Sequence, residues 1–129
     1  CNIGGTVKLE DLELIFTQAF HSMSSNPSGV VIFYNDKKIY HAGDTGVFGD
    51  MKLIGEMYPL DLAFLPVGGH FTMGIKEAKK AVQLLNAKKI VPIHYNTFDV
   101  IEQEVDESLV KESDSQLLIL KPGEEFTLL

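Results

Sequence analysis

The chain has one cysteine, and it stands first. A lone thiol excludes an internal disulfide framework and suits a reducing compartment, so the cytoplasm is the expected location. Basic clusters are missing too. Lys+Arg number 11 against 18 Asp+Glu, a formal net charge of −7, and without a basic face no nucleic-acid partner is expected. Nor is there a membrane segment. Residues Leu14 to Asn35 carry no Asp, Glu, Lys or Arg, but they include Gln18, His21, four serines, Asn26 and Pro27, too much polar surface for hydrocarbon. A basic stretch followed by an apolar run is absent from the start, so no signal peptide is read there. Internal repeats, linkers and low-complexity tracts are absent as well. At 45% hydrophobic and 22% charged, residues 1–129 are expected to form a single globular region. Cys1 occupies the place of an initiator Met, so a preceding segment is expected.

What is present alternates short apolar runs with turn residues. Thr6 to Leu9 and Leu12 to Phe16 predict one hairpin, and Gly29 to Tyr34 with Lys38 to Ala42, joined by Asn35-Asp36, predict a second. His21 to Ser28 is loop chemistry, rich in Ser, Asn and Pro. Met51 to Met57 predicts a short helix docked by Met51, Ile54 and Met57. Leu60 to Val67 predicts a strand ended by Gly68-Gly69. The clearest helix runs from Ile75 to Leu85, where Ile75, Ala78, Val82 and Leu85 keep the 3.6-residue period. Thr72 is expected to cap it. Lys89 to His94 predicts a buried strand whose Pro92 points to a sheet edge or bulge. Glu102 to Glu112 predicts a weaker helix, with strands at Gln116–Leu120 and Phe126–Leu129. This order indicates an α/β domain. So many strands with so few helices leave one sheet face thinly covered.

The chemistry-bearing residues gather where strands stop. His21 follows Phe16 to Phe20, Asp44 lies two positions beyond Ala42, and His94 follows Ile90 to Ile93. Loops beyond strand ends are where layered α/β folds collect ligands and metals. Two imidazoles and a carboxylate suit a borderline-soft divalent ion, zinc being the first candidate. Gly43 and Gly46 flank Asp44-Thr45 and let the backbone turn sharply there. The spacings are long, however, and each residue alone also fits a structural role.

Four motifs carry a family resemblance: His21-Ser22 in its Ser-rich loop, Tyr40 to Gly46 (YHAGDTG), Leu65 to Gly74 (LPVGGHFTMG) and Pro92 to Phe98 (PIHYNTF). Together they resemble the metallo-β-lactamase superfamily, in particular its branch of small metal-dependent hydrolases. The resemblance runs from Asn2 to Gly123. It implies a four-layer αββα sandwich and hydrolysis of an ester, lactone, amide or phosphodiester in a small-molecule substrate by a hydroxide shared between two divalent ions. His21 then matches a histidine on one metal, Asp44 the aspartate bridging both, and His94 the last histidine, on the second. The family's His-x-His-x-Asp-His motif is absent, because no two histidines lie closer than 20 positions. The chain therefore resembles the C-terminal half of such a domain. An N-terminal half of the same domain, or a second chain in an oligomer, is the implied partner, contacting Phe16, Ile32, Phe33, Phe64 and Ile90.

His70, in the Gly68-Gly69-His70-Phe71 loop, is a candidate for contacting substrate or donating a proton to a leaving group. His41 and Thr45 are expected to orient the ligands. Two other readings stay open. Cys1 as an exposed terminal residue fits a processed nucleophile or a lipidated residue. The chain also fits a non-catalytic half-domain that needs a partner segment to complete its metal site.

Overall fold

The computed structural model describes all 129 residues, Cys1 to Leu129. The Glu10-Asp11 and Asn35-Asp36 turns and the Ser-rich loop after β2 fold the first third into an antiparallel meander of β1 (Thr6–Leu9), β2 (Leu12–Gln18), β3 (Ser28–Tyr34) and β4 (Lys37–His41). Asn35 and Asp36 both take positive φ (46° and 63°), the conformation a two-residue hairpin turn demands. From β4 onward the connections are crossovers, and the sheet turns parallel through β5 (Leu62–Pro66), β6 (Lys89–Ile93) and β7 (Gln116–Leu117). The seven strands lie in sequence order in one sheet. Helix α1 (Met51–Met57) joins β4 to β5, and α2 (Ile75–Leu85) joins β5 to β6.

Because side chains alternate across a strand, the register assigns each one a face. Ile15, Val31, Tyr40, Ala63, Ile90 and Leu117 are successive cross-strand partners from β2 to β7. This row packs under the helices, against Met51, Ile54, Ala78, Val82 and Leu85. One residue further along, Phe16, Val30, His41, Phe64 and Val91 form the matching row on the opposite face. No helix covers that row. Phe16, Ile32 and Phe64 remain half-exposed there, and Leu120 and Pro122 of the C-terminal tail border it at Phe64 and Val91.

Several expectations are corrected. Ile90 is fully buried in the helix-side core, and Phe33 packs on that side too, edge-on to Tyr58 at 5.7 Å, so neither belongs to the open face. Met57 is exposed, leaving Met51 and Ile54 to dock α1. The segment Glu102–Glu112 forms only a 3₁₀ turn at Glu107–Leu109, and Leu109 and Val110 reach the core from that turn with Val105 packed beside them. The last strand shrinks to Gln116–Leu117, and Phe126–Leu129 pairs with nothing. Thr72 caps no helix. Gly74 is the N-cap of α2, and its N–H donates to the Glu77 carboxylate at 3.2 Å. Pro92 lies on an inner strand, but an open part of it. The Ile90 carbonyl accepts from Leu118 N–H at 2.8 Å on the β7 side, while the Ile93 carbonyl accepts from Val67 N–H at 3.0 Å on the β5 side. Alternation turns the nitrogen of Pro92 toward β7, beyond that strand's end, where no ladder donor is required.

Registration of β4, β5 and β6 has a polar anchor at the end remote from the histidine loops. Asp61 accepts from Lys88 Nζ at 2.8 Å and from Lys38 N–H at 3.0 Å. Burial raises the Asp61 carboxyl, but these donors outweigh it and hold the group below the usual carboxylate range.

Two outcomes are expected from this architecture. The isolated chain should self-associate or bind a hydrophobic dye through the open face, and a monodisperse, dye-silent monomer in sedimentation would contradict that. Tyr40 supplies the second. Burial pushes its hydroxyl up to about 12 from 10.0, partly offset by the Thr17 side chain. The unfolded chain releases this proton first, so stability should fall as pH rises from 10.0 to about 12, by on the order of 2 kcal/mol. Tyr40→Phe should remove that part of the fall in denaturant titrations. An unchanged pH profile would refute it.

Candidate metal centre

β2, β4, β5 and β6 all end at one edge of the sheet, and the loops that follow them carry His21, Asp44, His70 and His94. The register explains how residues so far apart in sequence meet. His41, Phe64 and Val91 are level across β4, β5 and β6, and Asp44 and His94 each lie three residues beyond that row. β5 still separates the two strands, at roughly 4.8 Å per step, so both loops must bend over its end. Gly68 permits this. A Cβ there would run into the His94 carbonyl oxygen and stand 3.3 Å from its Nδ1.

His94 itself has φ of 57°, a left-handed conformation uncommon for a residue other than glycine. Its Nε2 lies 3.6 Å from Asp44 Oδ2, longer than a hydrogen bond. Two donors held at about 2.0–2.2 Å from one tetrahedral ion stand roughly 3.3–3.6 Å apart, so the separation fits two ligands of a shared divalent cation. Asp44 is 44% exposed and His94 24%, which leaves the pair open to solvent on one side. His94 Nδ1 is buried without a partner, whereas a ligating histidine usually has its second nitrogen hydrogen-bonded.

Thr45 assembles the surrounding loops. Its buried hydroxyl accepts from Phe20 N–H at 2.9 Å and donates to the Gly46 carbonyl at 2.7 Å, and its carbonyl accepts from Met73 N–H at 3.0 Å. It thus fixes the loop that bears Asp44, not the carboxylate itself. Gly43 makes the turn into that loop at φ 67°, where a Cβ would stand 2.5 Å from the Ser28 carbonyl oxygen. His41 Nδ1 accepts from Gly43 N–H at 3.1 Å, and its ring stacks on Phe64 at 5.5 Å. An accepting Nδ1 assigns the proton of the neutral ring to Nε2. Burial pushes the His41 pKa down against the opposing pull of Asp44, in agreement with a neutral ring.

Asp44 and His94 are therefore brought together, and His21 does not join them in a three-donor cluster. No three His, Cys, Asp or Glu side chains converge closely enough to hold an ion. His21 instead shares a cleft with His70, whose other walls include Phe20, Met23, Gly46 and Phe71. Cys1 is exposed at the far end of the chain's path, hydrogen-bonded only to the Asn2 carbonyl at 3.6 Å. The role of Gly68 was not legible as such in the sequence. Its one signal is the glycine pair directly after a strand.

Residues 1–95 match the family model for the beta-lactamase superfamily domain. The chain belongs to this superfamily. Members similar to it include a UPF0173 metal-dependent hydrolase of Methanosarcina barkeri, 49% identical over 97% of this chain and 60% of the relative. Another, from Staphylothermus marinus, is 52% identical over 98% of this chain and 57% of its own length. Among solved structures, Igni18, a metallo hydrolase from Ignicoccus hospitalis, superposes with a TM-score of 0.86 at 38% identity, covering 98% of this chain and 60% of that one. The mixed sheet with its two helices is thus the metallo-β-lactamase type of fold. The chain spans about 60% of the length of the relatives it matches.

The positive φ of His94 gives a stability prediction. His94→Gly should be more stable than His94→Ala by about 1 kcal/mol, because glycine adopts this conformation without strain. Equal denaturant midpoints would show that no strain is stored at this position.

Proposed function

We propose that this chain supplies part of the metal site of a metal-dependent hydrolase acting on a small-molecule ester, lactone, amide or phosphodiester. The observation that carries the reading is the 3.6 Å separation of Asp44 Oδ2 and His94 Nε2, held by a left-handed His94 packed against Gly68. The names of the similar proteins, metal-dependent hydrolases and a metallo hydrolase, support the same reading.

In this proposal Asp44, His94 and His21 would hold two divalent ions, with zinc as the metal: Asp44 would serve both, His94 one and His21 the other. Such ions supply a water acidified toward neutral pH and positive charge at the attacked group. The chain's own residues contribute orientation. Thr45 holds the Asp44 loop rigid, and neutral His41 ties Gly43 in place beside it. His70 projects from the glycine loop into the cleft it shares with His21, where it contacts substrate or passes a proton to the leaving group.

A second reading is favoured by two observations: fewer than three donors converge, and one sheet face lacks a cover. On this reading the chain is a half-domain that binds metal weakly until an N-terminal segment or a second chain packs on Phe16, Ile32 and Phe64 and adds the remaining ligands. Intact mass and elemental analysis distinguish the two. Less than one ion per chain of 14.3 kDa supports the half-domain, and about two ions together with a companion polypeptide supports an assembled hydrolase.

The ligand assignment is tested by Asp44→Ala and His94→Ala in the protein carrying its complete metal site. Each is expected to lower metal occupancy and to reduce turnover by a factor on the order of 100 or more. Wild-type metal content and turnover in both variants would reject the site.

A further inference from the structure

We infer that Ile101 is a positioning residue for the His94 imidazole: held against Gly68 by the loop of residues 95–102, its side chain gives the ring the orientation that a hydrogen bond to the second nitrogen gives other histidine ligands. The inference rests on the reading of His94 as a metal ligand and deepens it.

The need for such a device follows from the ring itself. Nε2 faces Asp44 Oδ2 at 3.6 Å, and Nδ1 is buried with no hydrogen-bond partner. A ligating histidine is usually oriented by a bond from that nitrogen, so here the ring must be held by packing. The backbone restrains only part of the freedom. The Ile93 carbonyl accepts from Val67 N–H at 3.0 Å and His94 then turns left-handed at φ 57°, which places its Cβ but leaves the side-chain torsions open.

Ile101 stands where those torsions can be restricted. A Cβ at Gly68 would lie 3.3 Å from His94 Nδ1 and 3.4 Å from Ile101 Cβ, so the two side chains border one point above that glycine. Ile101 is 5% exposed, whereas every other residue from Asn96 to Glu104 is exposed, Phe98 at 58% and Val100 at 62% included. A loop that leaves a phenylalanine and a valine in water while burying a single isoleucine is anchored through that one contact. Backbone bonds close it. Glu102 N–H donates to the Gly68 carbonyl at 2.8 Å, Asn96 N–H to the Glu102 carbonyl at 2.8 Å and Ile101 N–H to the Phe98 carbonyl at 3.3 Å. The chain thus leaves His94, turns through a second left-handed residue at Asn96 (φ 55°), and returns to Gly68 with Ile101 inward. A β-branched side chain is stiff at χ1, which suits it to limit the motion of a neighbour.

The test uses the protein carrying its complete metal site, stripped of metal, and reads the ring directly. NMR relaxation of the labelled histidine rings gives the ps–ns order parameter of His94, and titration with zinc alone against a competing chelator gives metal affinity. Ile101→Ala is expected to lower that order parameter and to weaken zinc binding by about tenfold or more. Ile101→Val keeps the β-branch and should restore both. Ile54→Ala deletes the same atoms from a comparably buried position in α1, 8% exposed, and should change neither. Should Ile101→Ala fail to fold, Ile101→Leu conserves the volume while moving the branch away from Cβ, and both quantities are expected to fall in it to a smaller degree. Unchanged ring order in the folded Ala or Leu variant overturns the inference, as does an equal loss in Ile54→Ala, the mark of a merely structural role. Zinc affinity that resists Ile101→Ala but falls in His94→Ala overturns it as well. If His94→Ala also leaves zinc binding intact, the ligand reading itself falls, so the two ideas fail separately.

Discussion

The buried hydroxyl of Thr45 is the interaction on which the site edge depends. With its carbonyl it joins the end of the β2 segment at Phe20, the Asp44 turn at Gly46 and the entry to α2 at Met73. A backbone N–H and a carbonyl brought into the interior need partners, and one small side chain serves both. Three loops that diverge in sequence are therefore locked at one height above the sheet. Any group carried on them, His21, Asp44 or His70, inherits that rigidity. The glycines on either side are the complement of this constraint: Gly43 where the chain must turn against Ser28, and Gly68 where His94 must come close.

The sheet below is asymmetric in a way that bears on function. One face is sealed by two helices over a continuous row of apolar side chains, and the other carries a similar row with no helix upon it. Fully burying an exposed phenylalanine is worth about 1.5–3 kcal/mol, and the partly exposed Phe16 and Phe64 each retain a fraction of that as a driving force for association. The same asymmetry appears at the edge, where two metal-type donors stand at ligand spacing and the further donors that an ion requires do not join them. The chain spans about 60% of the length of the relatives it matches.

Much of the fold was legible in local pattern. The helix at Ile75–Leu85 follows from its apolar period, and both hairpins follow from alternating β-branched runs around turn residues. The failures share a cause. Met57 and the segment Glu102–Glu112 have the composition of helices or docking residues, yet whether such residues are used depends on what surface is left to meet them. Ile90 and Phe33 were misassigned to the open face because alternation gives two faces without saying which one the helices cover.

By itself the sequence determined the identity of the edge residues. His21, Asp44, His70 and His94 each stand just past an apolar strand, a property written within a few neighbouring positions. Only the tertiary structure decided which of them meet. Asp44 and His94 are fifty positions apart (94 − 44), and their approach depends on β4, β5 and β6 pairing in a register that makes His41, Phe64 and Val91 level. That register arises from long-range burial and from the Asp61–Lys88 and Asp61–Lys38 contacts, none of which a local window contains. Local propensity acts over a few residues, whereas the convergence of a site is a property of the whole sheet.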